Sequence, residues 1–184
     1  MIVSDNFLEQ SEFEHLRDEM LSNRFPWAYS ATASGKMENK DLEHFGNQQM
    51  YHMFYGDYNR FHQEHSSSMQ LVWPLLRKLA PLALIRIKAN LQFNTKELYQ
   101  LPFHTDYNPD GVDFKTCVYY LNTNNGTTVF EDTGESVESV ENRIVIFDGK
   151  RRHTGTTCTD KKIRLVLNLN FIQGHEINLQ DYAN

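Results

Sequence analysis

The segment KKIRLVLNLNFI, residues 161–172, decides how the chain folds. Successive side chains of an extended strand project to opposite faces, so residues i and i+2 share one. Ile163, Leu165, Leu167, Leu169 and Phe171 make one apolar face, and Lys162, Arg164, Val166, Asn168 and Asn170 make the other. The apolar set is expected to pack on helices. The mixed set is then expected to look into the mouth of a barrel.

The same alternation runs through LALIRIKANLQF, residues 82–93. There Ile85, Ile87, Ala89, Leu91 and Phe93 oppose Arg86, Lys88, Asn90 and Gln92. Between these two strands the sequence reads as further short strands: KTCVYYLN, TVFED, ESVESV and RIVIFD, with TNNGT as a turn. Short strands punctuated by Gly, Asn and Asp predict an antiparallel barrel or double-sheet jelly roll. The first half is more mixed. IVSD reads as a short strand, and Ser11 with Glu14 matches a capping box for a helix over 11–22. PWAYSATAS and QQMYHMFYGD read as strands around the polar loop GKMENKDLEHFGN. A second helix is expected within 66–80, where Pro74 either begins or kinks it. The fold class is therefore mainly β with N-terminal helices covering one face. A single domain over 1–184 is expected, with support in 1–82, a core in 83–172 and a tail in 173–184.

Composition agrees with one globular unit. Of 184 residues, 40% are hydrophobic and 12% aromatic, which argues against disorder. A net charge of −6 supplies no general attraction to nucleic acid. The start, MIVSDNFLEQSEFEHL, has no basic region followed by an apolar run, and no segment is long enough to span a membrane. Cys117 and Cys158 read as idle thiols of a reducing compartment, so a cytoplasmic protein is expected.

The segment LPFHTDYNPDG, residues 101–111, carries the chemistry. His104 and Asp106 share a face just before an Asn-Pro-Asp-Gly turn. Alone, such a pair is also what a surface turn yields. His153, 47 positions beyond Asp106, follows the strand RIVIFD, and a jelly roll brings such distant strands together. Two imidazoles and a carboxylate leave three coordination positions open, the facial triad suited to non-haem Fe(II). A structural zinc site would instead close all four positions, usually with cysteines. Arg164 on the mixed face suits the bidentate grip of a small carboxylate, its bland alternative being a pair with an internal acid.

The His-x-Asp at 104–106, the His at 153 and Arg164 together resemble the signature of Fe(II)/2-oxoglutarate-dependent oxygenases. TCVYYLN and RIVIFDGKRRH resemble the prolyl 4-hydroxylase branch of that superfamily. The resemblance covers roughly 85–172. It implies a double-stranded β-helix core with Fe(II) on His104, Asp106 and His153. It implies 2-oxoglutarate held at its distal carboxylate by Arg164 and the Tyr120 hydroxyl, with Asn90 and Tyr99 as further polar contacts. Oxygen and 2-oxoglutarate would be co-substrates, succinate and CO2 products, and ascorbate a reductant. The implied reaction hydroxylates an unactivated C–H, on a prolyl or other residue of a peptide. Alternatives are a small metabolite, a nucleic-acid base, or a non-catalytic cupin-like binding module. Cupins favour a His-x-His start, and nucleic-acid demethylases add an arginine where Asn170 stands, so neither a base nor a cupin is preferred. The chain departs from relatives with Arg-x-Ser in the last strand by carrying Val166. Lys162 competes with Arg164 as the anion anchor. NTKELYQLP reads as a flap over the site. His62 with His65, and His175, read as polar surface, and Arg151 with Arg152 as a rim facing solvent or an acidic substrate.

Overall fold

A computed structural model describes residues 1–31, 48–57, 63–106 and 111–174. Strand β1 (Ile2–Ser4) leads into helix α1 (Gln10–Leu21), then β2 (Ala28–Ser30), β3 (Gln49–Asp57) and β4 (Gln63–His65). A 3-10 turn (Met69–Val72) runs into α2 (Trp73–Leu79), and the remaining elements are strands. They are β5 (Ala83–Phe93), β6 (Lys115–Tyr120), β7 (Asn124–Phe130), β8 (Ser136–Ser139), β9 (Ile144–Asp148), β10 (His153–Gly155) and β11 (Ile163–Ile172). The larger sheet has the order β1-β9-β6-β11-β5-β3-β2, with β4 on β3; the smaller has the order β10-β7-β8. Isolated bridges from Gln100 to Thr156 and from His104 to His153 lay residues 100–104 along the outer side of β10. Two facing antiparallel sheets make the expected jelly roll.

Strand β11 sits at the centre, antiparallel to β5 on one side and β6 on the other. Its apolar face packs as the alternation predicts. Leu165, Leu167, Leu169 and Phe171 join Phe13, Leu16 and Met20 of α1 and Leu75 and Leu79 of α2 in one buried cluster. Each such side chain contributes about 1.5–3 kcal/mol when fully buried. A second, smaller cluster lies between the sheets and contains Val118, Tyr120, Phe130, Val145, Phe147 and Val166. Tyr119 faces the helices and Tyr120 the space between the sheets, as their parity requires.

Several local expectations change. Helix α1 begins at Gln10 with Glu9 as its N-cap and has no side-chain capping hydrogen bond, so Ser11 and Glu14 are not a capping box. The entry is fixed by Asn142 instead: its Oδ1 accepts from the Leu8 N–H and its Nδ2 donates to the Leu8 carbonyl, both at 2.8 Å. Pro74 stands at the start of α2 and does not kink it. Most of TNNGT is not a turn, since β7 already starts at Asn124. Gly126 is required there by close approach: a Cβ would lie 2.7 Å from Arg164 Cδ and 2.9 Å from the Thr157 carbonyl. The segment NTKELYQLP is stitched down by backbone hydrogen bonds from Thr95 to Cys158, Thr157 to Tyr99 and Leu101 to Gly155, which does not suit a flap. Strands β1, β2, β3 and β4 belong to the larger sheet, so residues 1–82 extend the core as well as supporting it. The loop GKMENKDLEHFGN, His62 and His175 lie outside the described residues. Both cysteines are free and buried, and no described helix is long and apolar enough to cross a membrane.

Candidate active site

His104 ends the segment that bridges β10, Asp106 follows two residues later, and His153 opens β10. The antiparallel bridge between His104 and His153, with each N–H donating to the other's carbonyl, makes the two imidazoles neighbours. Their ring centroids stand 5.1 Å apart. Asp106 Oδ1 lies 3.6 Å from His104 Nε2 and 3.9 Å from His153 Nε2. One ligand atom from each residue falls within 4.8 Å of the others. His104 Nδ1 sits 3.1 Å from the Pro102 carbonyl and His153 Nδ1 3.2 Å from the Arg151 carbonyl. Nδ1–H donation to those oxygens leaves both Nε2 atoms as bare acceptors aimed at Asp106, the arrangement in which imidazoles hold a metal.

The carboxylate is itself held. Arg86 NH2 lies 3.1 Å from Asp106 Oδ1, and Arg86 Nε donates to Asn170 Oδ1 at 3.0 Å. Asn170 Nδ2 reaches Asp106 Oδ2 at 3.4 Å and Thr116 Oγ1 at 3.0 Å. Arg86 and Asn170 are direct partners in the β5–β11 ladder, which explains the shared contact. Burial would raise the Asp106 pKa, but Arg86 and the two histidines hold it well below the usual carboxylate range. Burial also works against His104, yet the Asp106 carboxylate beside it leaves its pKa raised. Burial lowers that of His153.

Arg164 stands at the other end of the same cavity, 4% exposed. Its Nε donates to Ser139 Oγ at 3.0 Å, and NH2 donates to Thr128 Oγ1 at 3.2 Å and the Thr127 carbonyl at 3.4 Å. No carboxylate among the described residues pairs with it, so the internal-acid alternative finds no support there. Burial lowers its pKa, which measures how poorly the cation is compensated. Gly155 lets it pass, since a Cβ there would sit 3.1 Å from NH1. Lys162 is exposed, precedes β11 and does not line the cavity.

Arg86, Lys88, Asn90, Gln92, Leu101, Val118, Thr128, Val166 and Asn168 complete a cavity of about 150 Å3 between the metal-type cluster and Arg164. Asn90 and Asn168 each leave a buried Oδ1 without a hydrogen-bond partner. Such atoms cost free energy unless something in the cavity meets them. Tyr120 is fully buried behind this wall, donating its hydroxyl to Thr128 Oγ1 at 2.8 Å. Thr128 Oγ1 therefore accepts from both Tyr120 and Arg164, which turns its own proton toward the cavity. Asn90 lines the cavity, whereas Tyr99 does not; its backbone pairs with Thr157. Sequence reasoning missed Arg86, Lys88, Thr128, Ser139 and Asn170. The polar parity of β5 was the available signal for the first two. Arg151 and Arg152 form ion pairs with Asp132 and Glu131, so the rim cations are partnered within the chain.

No family model and no curated protein matches the chain. Solved structures do. An oxidoreductase of the 2OG-Fe(II) oxygenase family from Burkholderia pseudomallei superposes with a TM-score of 0.64 at 14% identity, over 92% of this chain and 81% of that one. The chain has the fold of the 2-oxoglutarate/Fe(II) oxygenases. A prolyl hydroxylase from Trichoplax adhaerens, solved with a hypoxia inducible factor peptide, gives 0.60 at 13% identity over 94% and 83%. An alpha-ketoglutarate-dependent epimerase of nogalamycin biosynthesis gives 0.56 at 14% identity over 94% and 77%.

Proposed function

We propose that the chain is a non-haem Fe(II)- and 2-oxoglutarate-dependent oxygenase that hydroxylates an unactivated C–H bond. The observation that carries this reading is Arg164, a buried cation with no acid partner among the described residues, sharing one cavity with the His104, Asp106 and His153 ligand atoms. The donor set fits the metal: two imidazole Nε2 atoms and one carboxylate leave positions for a chelating co-substrate and oxygen. Iron with 2-oxoglutarate and O2 supplies the oxidising power, coupled to release of succinate and CO2. The protein's own groups bind and orient. His104, Asp106 and His153 would hold the metal, with Arg86 and Asn170 keeping the carboxylate in place. Arg164 would take the distal carboxylate of 2-oxoglutarate through NH1, the guanidinium nitrogen with no hydrogen bond to a described residue, and the Thr128 hydroxyl would donate a further hydrogen bond. Tyr120 supports Thr128 from behind. Leu101, Val118 and Val166 exclude water around the reacting centre.

Resemblance to the prolyl 4-hydroxylase branch supports a peptide residue as substrate, and ascorbate as the reductant that keeps the metal ferrous. The likeness to an epimerase of nogalamycin biosynthesis favours a small molecule as a second reading. The test is anaerobic absorbance. Fe(II) with 2-oxoglutarate should give a visible charge-transfer band that needs both components and disappears in His153→Ala. Succinate release that is independent of iron, or a band unchanged in His153→Ala, would refute the proposal.

A further inference from the structure

Three cations line the cavity, and two have their roles. Arg86 is paired with Asp106, and Arg164 is turned toward the co-substrate end by Ser139 and Thr128. Lys88 has neither. Among the described residues its ammonium stands over the Tyr51 ring, whose centroid lies 5.2 Å from Nζ, and no described carboxylate forms an ion pair with it, although Asp106 attracts it from farther off. Strand β5 lies between β11 and β3, with Lys88 opposite Asn168 on one side and Met53 on the other. Tyr51 belongs to β3 and lies opposite Asn90, so the ammonium leans to the side of β5 away from β11, and one ladder step along the strand toward the Arg164 end. By register Lys88 is four residues from Arg164's partner, Gln92, or roughly 13 Å along the strand.

Charge points the same way. Among the described lining residues, three cationic side chains face the single carboxylate of Asp106. A divalent metal and a dicarboxylate co-substrate cancel each other. Counted over the described lining residues, the loaded cavity therefore keeps an excess of two positive charges, only one of which, at Arg164, lies at the co-substrate end. Desolvated positive charge of this kind is unfavourable unless an anion meets it.

Resting on the oxygenase reading, we infer that Lys88 receives a carboxylate of the primary substrate, close to the C–H bond that is oxidised. A free α-amino acid carries that group, and so does the terminal residue of a peptide. A residue internal to a peptide, with both ends amidated and no acidic side chain, does not.

The experiment uses the full chain loaded with Mn(II) and 2-oxoglutarate without oxygen, read by thermal shift and calorimetric titration. The probes are the common L-amino acids, their α-amides and their N-acetyl derivatives. At least one acid should bind where its amide does not, and Lys88→Met should weaken that binding by about tenfold or more. Lys88→Arg should retain it. A response to the N-acetyl acid assigns the carboxylate to a chain end, and its absence to a free amino acid. In Lys88→Met, 2-oxoglutarate affinity should change by less than about threefold, while Arg164→Ala loses about tenfold or more. The inference is overturned if no acid binds, if amides bind as well as acids, or if Lys88→Met and Arg164→Ala damage 2-oxoglutarate binding equally. Failure of 2-oxoglutarate to bind the wild-type protein with Mn(II) removes the oxygenase reading itself, and this inference with it.

Discussion

The Arg86 guanidinium lies 3.1 Å from the Asp106 carboxylate, so the acid of the candidate ligand cluster has a counter-charge within the chain. Asp106 is almost wholly buried, and removing one partner of such a pair strands the other. Arg86→Met should therefore destabilise the metal-free protein by about 3 kcal/mol. With saturating Mn(II) the loss should shrink, because the metal takes over the compensation. Chemical denaturation with and without Mn(II) measures both, and an identical loss in the two conditions would show that Arg86 does not neutralise Asp106.

The anion anchor is tested at Arg164 itself. Arg164→Ala removes a charge-assisted contact and should weaken 2-oxoglutarate binding by roughly ten- to a hundred-fold. Arg164→Lys should recover part, as a point charge cannot reproduce the planar fork. Lys162→Ala should leave affinity unchanged, since Lys162 is exposed outside the cavity. Tyr120→Phe acts only through Thr128 and should cost less than Thr128→Val, which strips Arg164 of an acceptor and orphans the Tyr120 hydroxyl. Calorimetric titration of the five variants ranks them; a damaging Lys162→Ala beside a silent Arg164→Ala would reverse the assignment.

Gly126 offers an indirect test of the same geometry. An added Cβ meets Arg164 Cδ at 2.7 Å and a backbone oxygen at 2.9 Å, so the arginine must move. Gly126→Ala should fold but bind 2-oxoglutarate about tenfold more weakly. Wild-type affinity in a folded Gly126→Ala protein would mean that the guanidinium position does not matter.

Lys88 predicts a pH signature. Burial, with Arg86 nearby and partly offset by Asp106, lowers its pKa from 10.5 to about 8. Between those values the unfolded chain holds a proton that the folded chain has released, so stability rises with pH from about 8 to about 10.5. Lys88→Met should remove that rise. At pH 7 it should also stabilise the metal-free protein by about 1–3 kcal/mol, because a desolvated cation is gone. Urea denaturation at pH 7 and pH 10 measures the difference, and parallel pH dependence in both proteins would refute it.

The parity of residues 161–172 was sufficient to orient the whole barrel, because a period of two leaves a strand only two ways to face and five apolar residues choose one. The His-x-Asp pair and His153 were legible for a related reason: ligand chemistry needs particular residue types, and the strand pattern brings them into reach. Composition and periodicity could not show what Asp106 leans on. Arg86 and Asn170 are 84 positions apart and meet only because β5 and β11 pair in one register. Gly126 reads as a turn until the Arg164 side chain is seen crossing it. The missing capping box has the same origin, since Asn142, far along the chain, anchors the entry to α1. Local sequence determined the faces, the elements and the ligand types, which depend on periodicity and chemistry. Tertiary structure decided which charges are paired and which are left for a ligand, because pairing depends on distances that only the folded sheets set.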